Sequence, residues 1–275
     1  MFSAETALLL ALLGFGVGVF GTLVGAGGGF ILTPVLLLLY PSSGPALITA
    51  VSLVVVFFNA SSGTAAYSRQ KRIDYRSGLI FAAATLPGSI LGVVVANQVS
   101  RPTFDVIMGV ALVAVAAWLL RGGPNEDEGA HKGPGVRRAI TDREGNTYTY
   151  RARVRLGALL SVGVGFISSF LGIGGGVVHV PLLVGLLGFP THIATATSHF
   201  VLVFMALVAT ITHVISGTFH NTVGLRRAAA LSVGVVVGAQ LGAALSTRLS
   251  GRLIQRLLAG GLLLLGGRLV LSFVL

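Results

Sequence analysis

Two glycine-rich stretches hold the residues of this chain best suited to bind something in an apolar surrounding. They are Gly25-Ala26-Gly27-Gly28-Gly29, followed by Pro34, and Gly172-Ile173-Gly174-Gly175-Gly176, followed by Pro181. The copies lie 147 residues apart, and each leads to a second shared pattern, Thr49-Ala50-Val51-Ser52 and Thr195-Ala196-Thr197-Ser198, 146 apart. Glycine lets a backbone leave helical geometry, and a broken helix starts its second part with unpaired N–H groups. Together with the positive end of the helix dipole, such groups can hold an anion within a membrane. The substrate-binding candidates are therefore Gly25, Gly27, Gly28 and Gly29 with Gly172, Gly174, Gly175 and Gly176. Beside them stand the side-chain donors Thr49, Ser52, Asn59, Thr195, Ser198 and His199. The plainer alternative is that the glycines admit close helix packing and the hydroxyls bond the preceding helical turn.

Acids are scarce where the chain is apolar: Glu5, Asp74 and Asp105 fall at ends or loops, and the rest lie between 121 and 155. This pattern argues against an intramembrane carboxylate relay or an acidic cation site and leaves neutral donors, which suit an anion. Histidines gather in the second half as His179, His192, His199 and His213, with His192 and His220 read as loop residues. His199 and His213 are the proton-coupling candidates, because imidazole titrates near neutrality. They are 14 residues apart on one helix face, or about 21 Å, so they cannot ligate one metal together. No catalytic residue, metal ligand or cofactor is expected, and no Walker-type phosphate loop is present. A divalent metal ion transporter using the membrane histidines is the alternative function.

The elements that must position these groups follow from composition. The chain is 54% hydrophobic and 10% charged, against about 25% charged in soluble domains. It therefore reads as an all-α polytopic membrane protein. Absence of cysteine excludes thiol ligands and disulfides. The formal charge of +11 lies between apolar runs, as topology-setting loop charge does, so no nucleic acid partner is expected. The first apolar segment lacks a basic leader and is expected to be retained. About eight transmembrane helices are expected as two homologous four-span repeats with broken first helices. The spans fall at 7–39, 46–66, 77–97, 104–120, 157–188, 193–216, 228–247 and 253–273. Gly88 and Gly92 match Gly234 and Gly238 at the same offset of 146. Residues 1–120 form the first repeat, 121–156 a cytoplasmic linker with a hairpin signal at Glu144-Gly145-Asn146, and 157–275 the second repeat. About ten residues after each glycine cluster are too few for a separate crossing. Four plus four crossings, with both halves oriented alike, is the reading; inversion would need that extra crossing. Both termini and the 121–155 loop are then cytoplasmic, since alternate loops hold most of the Lys and Arg.

The Gly-x-Gly-Gly-Gly…Pro motif followed by a Thr-Ala-Thr-Ser-type patch, repeated in two halves, resembles the sulfite exporter TauE/SafE family of transporters. The likeness spans nearly the whole chain except 121–155, and neither that insert nor His179 belongs to the pattern. The resemblance implies export of small sulfur-containing anions, such as sulfite or organosulfonates, across the cytoplasmic membrane, without an ATPase. Carried over by motif, the positions concerned are the eight glycines named above. The partners implied are a small anionic substrate and the lipid bilayer, with homo-oligomerisation left open.

Overall fold

In a computed structural model, residues 3–120, 135–219, 222–246 and 248 are described, with scattered positions between 253 and 268. Linker residues 121–134, His220 and about half of the expected span 253–273 lie outside the described residues. Among the described residues nine helices are assigned: α1 Ala4–Leu23, α2 Gly29–Leu39, α3 Pro45–Arg69, α4 Tyr75–Ala96, α5 Arg101–Leu120, α6 Val154–Leu171, α7 Gly176–Gly185, α8 Thr191–Ile215 and α9 Thr222–Ser246. Among the described residues six helices (α1, α3, α4, α6, α8 and α9) are long and apolar enough to cross a membrane. Exposed large side chains such as Leu8, Leu12, Leu79, Leu91 and Leu159 cover their outer faces. That is how a protein solvated by lipid presents itself.

Glycine sets how closely the helices approach. On α1, Gly14 and Gly18 lie against the backbone of Leu231 and Val235 on α9, while Gly234 and Gly238 of α9 lie against Ala11 and Phe15 of α1. On α4, Gly88 and Gly92 meet Val162 and Phe166 of α6 in the same manner, and Gly165 returns the contact against Thr85. A side chain at these positions would hold the backbones apart, so this is small-residue packing of membrane helices. Each contact joins the first helix of one half to the fourth element of the other.

The contacts also fix direction. Residue numbers rise together across α1/α9 and α4/α6, so each pair is parallel. Across α3/α8 they run oppositely: Thr49 meets His213, Leu53 clusters with Ala209, and Gly63 meets His199. Helix α3 is therefore antiparallel to its counterpart α8, and the expectation that both halves share one orientation is corrected. The physical reason lies at the glycine breaks, where the chain turns back instead of continuing. Arg153, which precedes α6, donates its N–H to the carbonyl of Leu187 beyond α7, 3.3 Å away. Likewise Tyr40, at the end of α2, lies under the guanidinium of Arg227 near the start of α9, 3.5 Å from its ring centroid. Both α1–α2 and α6–α7 are thus re-entrant helical hairpins, entering from opposite ends of the bundle.

The central segment departs from an all-α chain. Strands β1 Val136–Thr141 and β2 Thr147–Ala152 pair antiparallel, around a turn where Asp142 Oδ1 accepts from the N–H groups of Glu144 and Asn146. This β-hairpin docks on the α3–α4 loop. The Arg72 guanidinium binds Asp142 at 2.9 Å with both side chains buried, and Arg143 N–H donates to the Gln70 carbonyl. Tyr150 donates to Asp74 at 2.9 Å and packs on Phe189 with ring centroids 4.9 Å apart. Burial alone would raise the Asp142 pKa, but Arg72 and the Asn146 amides outweigh it and hold it below the ordinary value. Burial and the nearby Asp74 carboxylate push the Tyr150 phenol far above its usual range. The start of α1 lies at the other end of the bundle, beside the start of α9. The N-terminus and the β-hairpin therefore face opposite sides, which corrects the expectation that both are cytoplasmic.

Candidate functional site

The two re-entrant turns have matching conformations. Gly25, Gly27 and Gly28 take φ of 77°, 74° and 79°, and Gly172, Gly174 and Gly175 take 68°, 71° and 45°. These left-handed values favour glycine and reverse the chain. In the first turn, Ala26 and Gly27 both donate to the Gly21 carbonyl, and Ile31 and Leu32 to that of Gly28. Val178 and His179 repeat the latter pair on Gly175. Among the described residues, no acceptor meets the N–H groups of Gly28, Gly29 and Phe30, or those of Gly174, Gly175 and Val177. These are the orphan donors of two helix N-termini, and all six residues are buried.

The tips meet at the middle of the bundle. A Cβ placed on Gly29 would stand 2.7 Å from the Gly172 carbonyl oxygen, and one on Gly176 would stand 2.5 Å from Ala26 Cα. Gly27 lies opposite the carbonyl of Gly174. Hydroxyls clasp the tips crosswise: Thr33 and Ser52 donate to the Gly172 carbonyl at 2.7 and 2.8 Å, and Ser198 donates to that of Gly25 at 3.3 Å. Thr49 and Thr195 press on Gly172 and Gly25 respectively. Between them, Val56 and Leu202 contact Gly174, Gly27 and Gly175 as an apolar centre. Every candidate glycine, with Thr49, Ser52, Thr195 and Ser198, is thus brought to one place. The two serines spend their protons on backbone carbonyls, so their geometry is that of a brace between tips.

Asn59 and His199 sit on the β-hairpin side of that centre. Thr22 donates to Asn59 Oδ1 at 2.8 Å and lies 3.3 Å from His199 Nε2. Tyr67 donates to the Thr22 carbonyl and meets the His199 ring edge-on. Asn59 Nδ2 is buried without a partner among the described residues. His213 lies near the opposite end with Thr49 and Thr218, so the two proton-coupling candidates occupy separate networks. His179 packs on Phe81. Sequence reasoning passed over Thr22, Thr33 and Tyr67. Thr22 matches Ser169 at the offset of 147, and that comparison could have found it.

A model of the family described as sulfite exporter TauE/SafE matches residues 10–269. Among curated proteins the chain is similar to the "probable membrane transporter protein YunE" of Bacillus subtilis, 33% identical over 76% of this chain and 79% of that protein. It is also similar to a "probable membrane transporter protein" of Methanocaldococcus jannaschii, 28% identical over 69% of this chain and 66% of that one. A third, of Xylella fastidiosa, is 27% identical over 74% of this chain and 70% of its own length. No solved structure matches.

Proposed function

Since the chain belongs to the sulfite exporter TauE/SafE family of membrane transporters, we propose that it is a secondary transporter exporting a small sulfur-containing anion, sulfite or an organosulfonate. One observation carries this reading: two helix N-termini, with six amide N–H groups unpaired among the described residues, converge where none of those residues places a carboxylate. Hydrogen bonds to charged groups contribute about 1.5–3 kcal/mol each, so a few of them compensate much of an oxyanion's lost hydration. In the closed arrangement the tips satisfy shape and leave the donors free. Separation of the two re-entrant hairpins, one from each end, would admit the anion from one side and then the other. Two inverted halves of a duplicated chain are the kind of architecture that supports such alternating access. His199 is the better placed proton carrier, next to the tip donors; His213 would serve at the far end.

The basic residues Arg69, Lys71, Arg72 and Arg76 and the arginines of the β-hairpin lie at one end, against Arg101, Arg226 and Arg227 at the other. The β-hairpin end is then cytoplasmic and the N-terminus external. Radiolabelled sulfite flux into proteoliposomes, with and without a pH gradient, tests the function. Absence of flux for sulfite, sulfonates and thiosulfate would overturn it.

A further inference from the structure

The two halves match at the glycine tips but not beside them. Applying the 146–147 residue offset, Asn59 corresponds to Met205, His199 to Leu53 and Thr22 to Ser169. On the β-hairpin side, Thr22, Asn59, His199 and Tyr67 form one buried network that leaves Asn59 Nδ2 without a partner. Across Val56 and Leu202, the corresponding Ser169 hydroxyl is taken by Ser89 at 2.7 Å, and Ser89 also donates to the Met205 carbonyl. A buried amide donor without an acceptor carries the full cost of its lost hydration, and it points to an acceptor that arrives with another state.

We infer that Asn59, with Thr22 and His199, forms an oxyanion subsite on the cytoplasmic side of the glycine tips, with no equivalent on the outer side. The inference rests on the transport reading and adds the sidedness of binding to it. Asn59 Nδ2 is 3.5 Å from the position a Cβ would take on Gly28. Its amide therefore adjoins the orphan donors of α2, and an anion leaving one set reaches the other. In the outward-facing state the anion meets Met205 and Leu53 instead, which offer no donor. A passive site of this kind cannot set the direction of net flux, which follows the gradients. With equal concentrations and no coupling gradient, kcat/KM is the same in both directions. The asymmetry is therefore read in KM and kcat separately: low KM and low kcat from the cytoplasmic face, higher KM and higher kcat from the outer face.

Initial rates of radiolabelled sulfite flux, measured in inverted and right-side-out membrane vesicles, test this. The Asn59→Leu variant is expected to raise KM from the cytoplasmic face about 10- to 100-fold, the range for one hydrogen bond to a charged group. KM from the outer face should stay within about twofold of the unmodified protein on the same argument. Asn59→Gln should recover part of the loss, and Met205→Asn should lower the outer KM. Gel filtration of each variant in detergent confirms that it folds. Equal KM from both faces of the unmodified protein overturns the inference, as does an Asn59→Leu variant that folds and keeps its cytoplasmic KM. Absence of any flux in the unmodified protein overturns the transport reading and this inference with it.

Discussion

Substituting alanine for Gly29 separates the packing of the tips from all other roles of glycine. Gly29 lies in the first turn of α2 and has no positive φ, so alanine is conformationally acceptable there. Its methyl group, however, would stand 2.7 Å from both the Gly172 carbonyl oxygen and the Ile173 carbonyl carbon. Carbon–carbon contacts are optimal near 3.5–4.0 Å, so the two tips must part by about 1 Å. Overpacking against backbone that cannot rotate away costs about 1–3 kcal/mol. Gly163, within α6, has nothing within 4 Å of an added Cβ, and alanine there should stabilise its helix by about 0.5–1 kcal/mol. Thermal unfolding in detergent, followed by the fluorescence of the single Trp118 and by aggregation, ranks the two variants. The expected order is Gly163→Ala above the unmodified protein and Gly29→Ala below it, with sulfite flux lost only in the latter. Equal stability and equal flux in both variants would refute the claim that the tips meet backbone to backbone.

Three further outcomes follow from the same contacts. Arg72→Ala leaves the buried Asp142 without its cation and should weaken docking of the β-hairpin by about 3–5 kcal/mol, read as faster hydrogen exchange in residues 136–152. The depressed Asp142 pKa contributes stability that is present above the unfolded carboxylate value of about 4 and lost as pH falls through the folded one. The raised Tyr150 pKa works oppositely: its share is present below about pH 10 and lost as pH rises beyond it. Exchange protection of the β-hairpin, corrected for intrinsic rate, should thus be flat from about pH 5 to 9; a fall between pH 8 and 6 would contradict this. Because the chain has no cysteine, single cysteines at Ser3 and Glu144 can be labelled with a membrane-impermeant thiol reagent in intact cells. Only Ser3→Cys should react; equal labelling of both would refute the opposed ends.

What could be read from the sequence, and what could not, divides along physical lines. Apolar runs and the glycine-proline spacing located α1, α2, α6 and α7 within a few residues, because helix length and backbone breaks are local properties. Reversal of the chain at those breaks was not legible. A glycine cluster marks where helical geometry can end, but the new direction depends on which hydrogen bonds close the turn, here those of Ala26 and Gly27 onto Gly21. That one misread step made the halves parallel and placed the N-terminus with the central loop. The eight glycines of the candidate site were found because a repeat marks them twice. Asn59 and His199 were singled out as polar groups in apolar helices, whereas their link through Thr22 joins residues 37 and 177 positions apart and needed the fold. The role of Ser52 and Ser198 as braces was hidden for the same reason: their acceptors belong to the opposite half.

In the proposed mechanism the backbone amides of two opposed glycine tips hold the anion. A density map of the protein in lipid nanodiscs, determined with saturating sulfite, tests this most directly. Density for one oxyanion is predicted within hydrogen-bond distance of the amides of Gly28 or Gly29 and of Gly174 or Gly175. An anion bound elsewhere, for instance between Arg72 and Arg143 at the β-hairpin, with the tips still in contact and empty, would contradict the account.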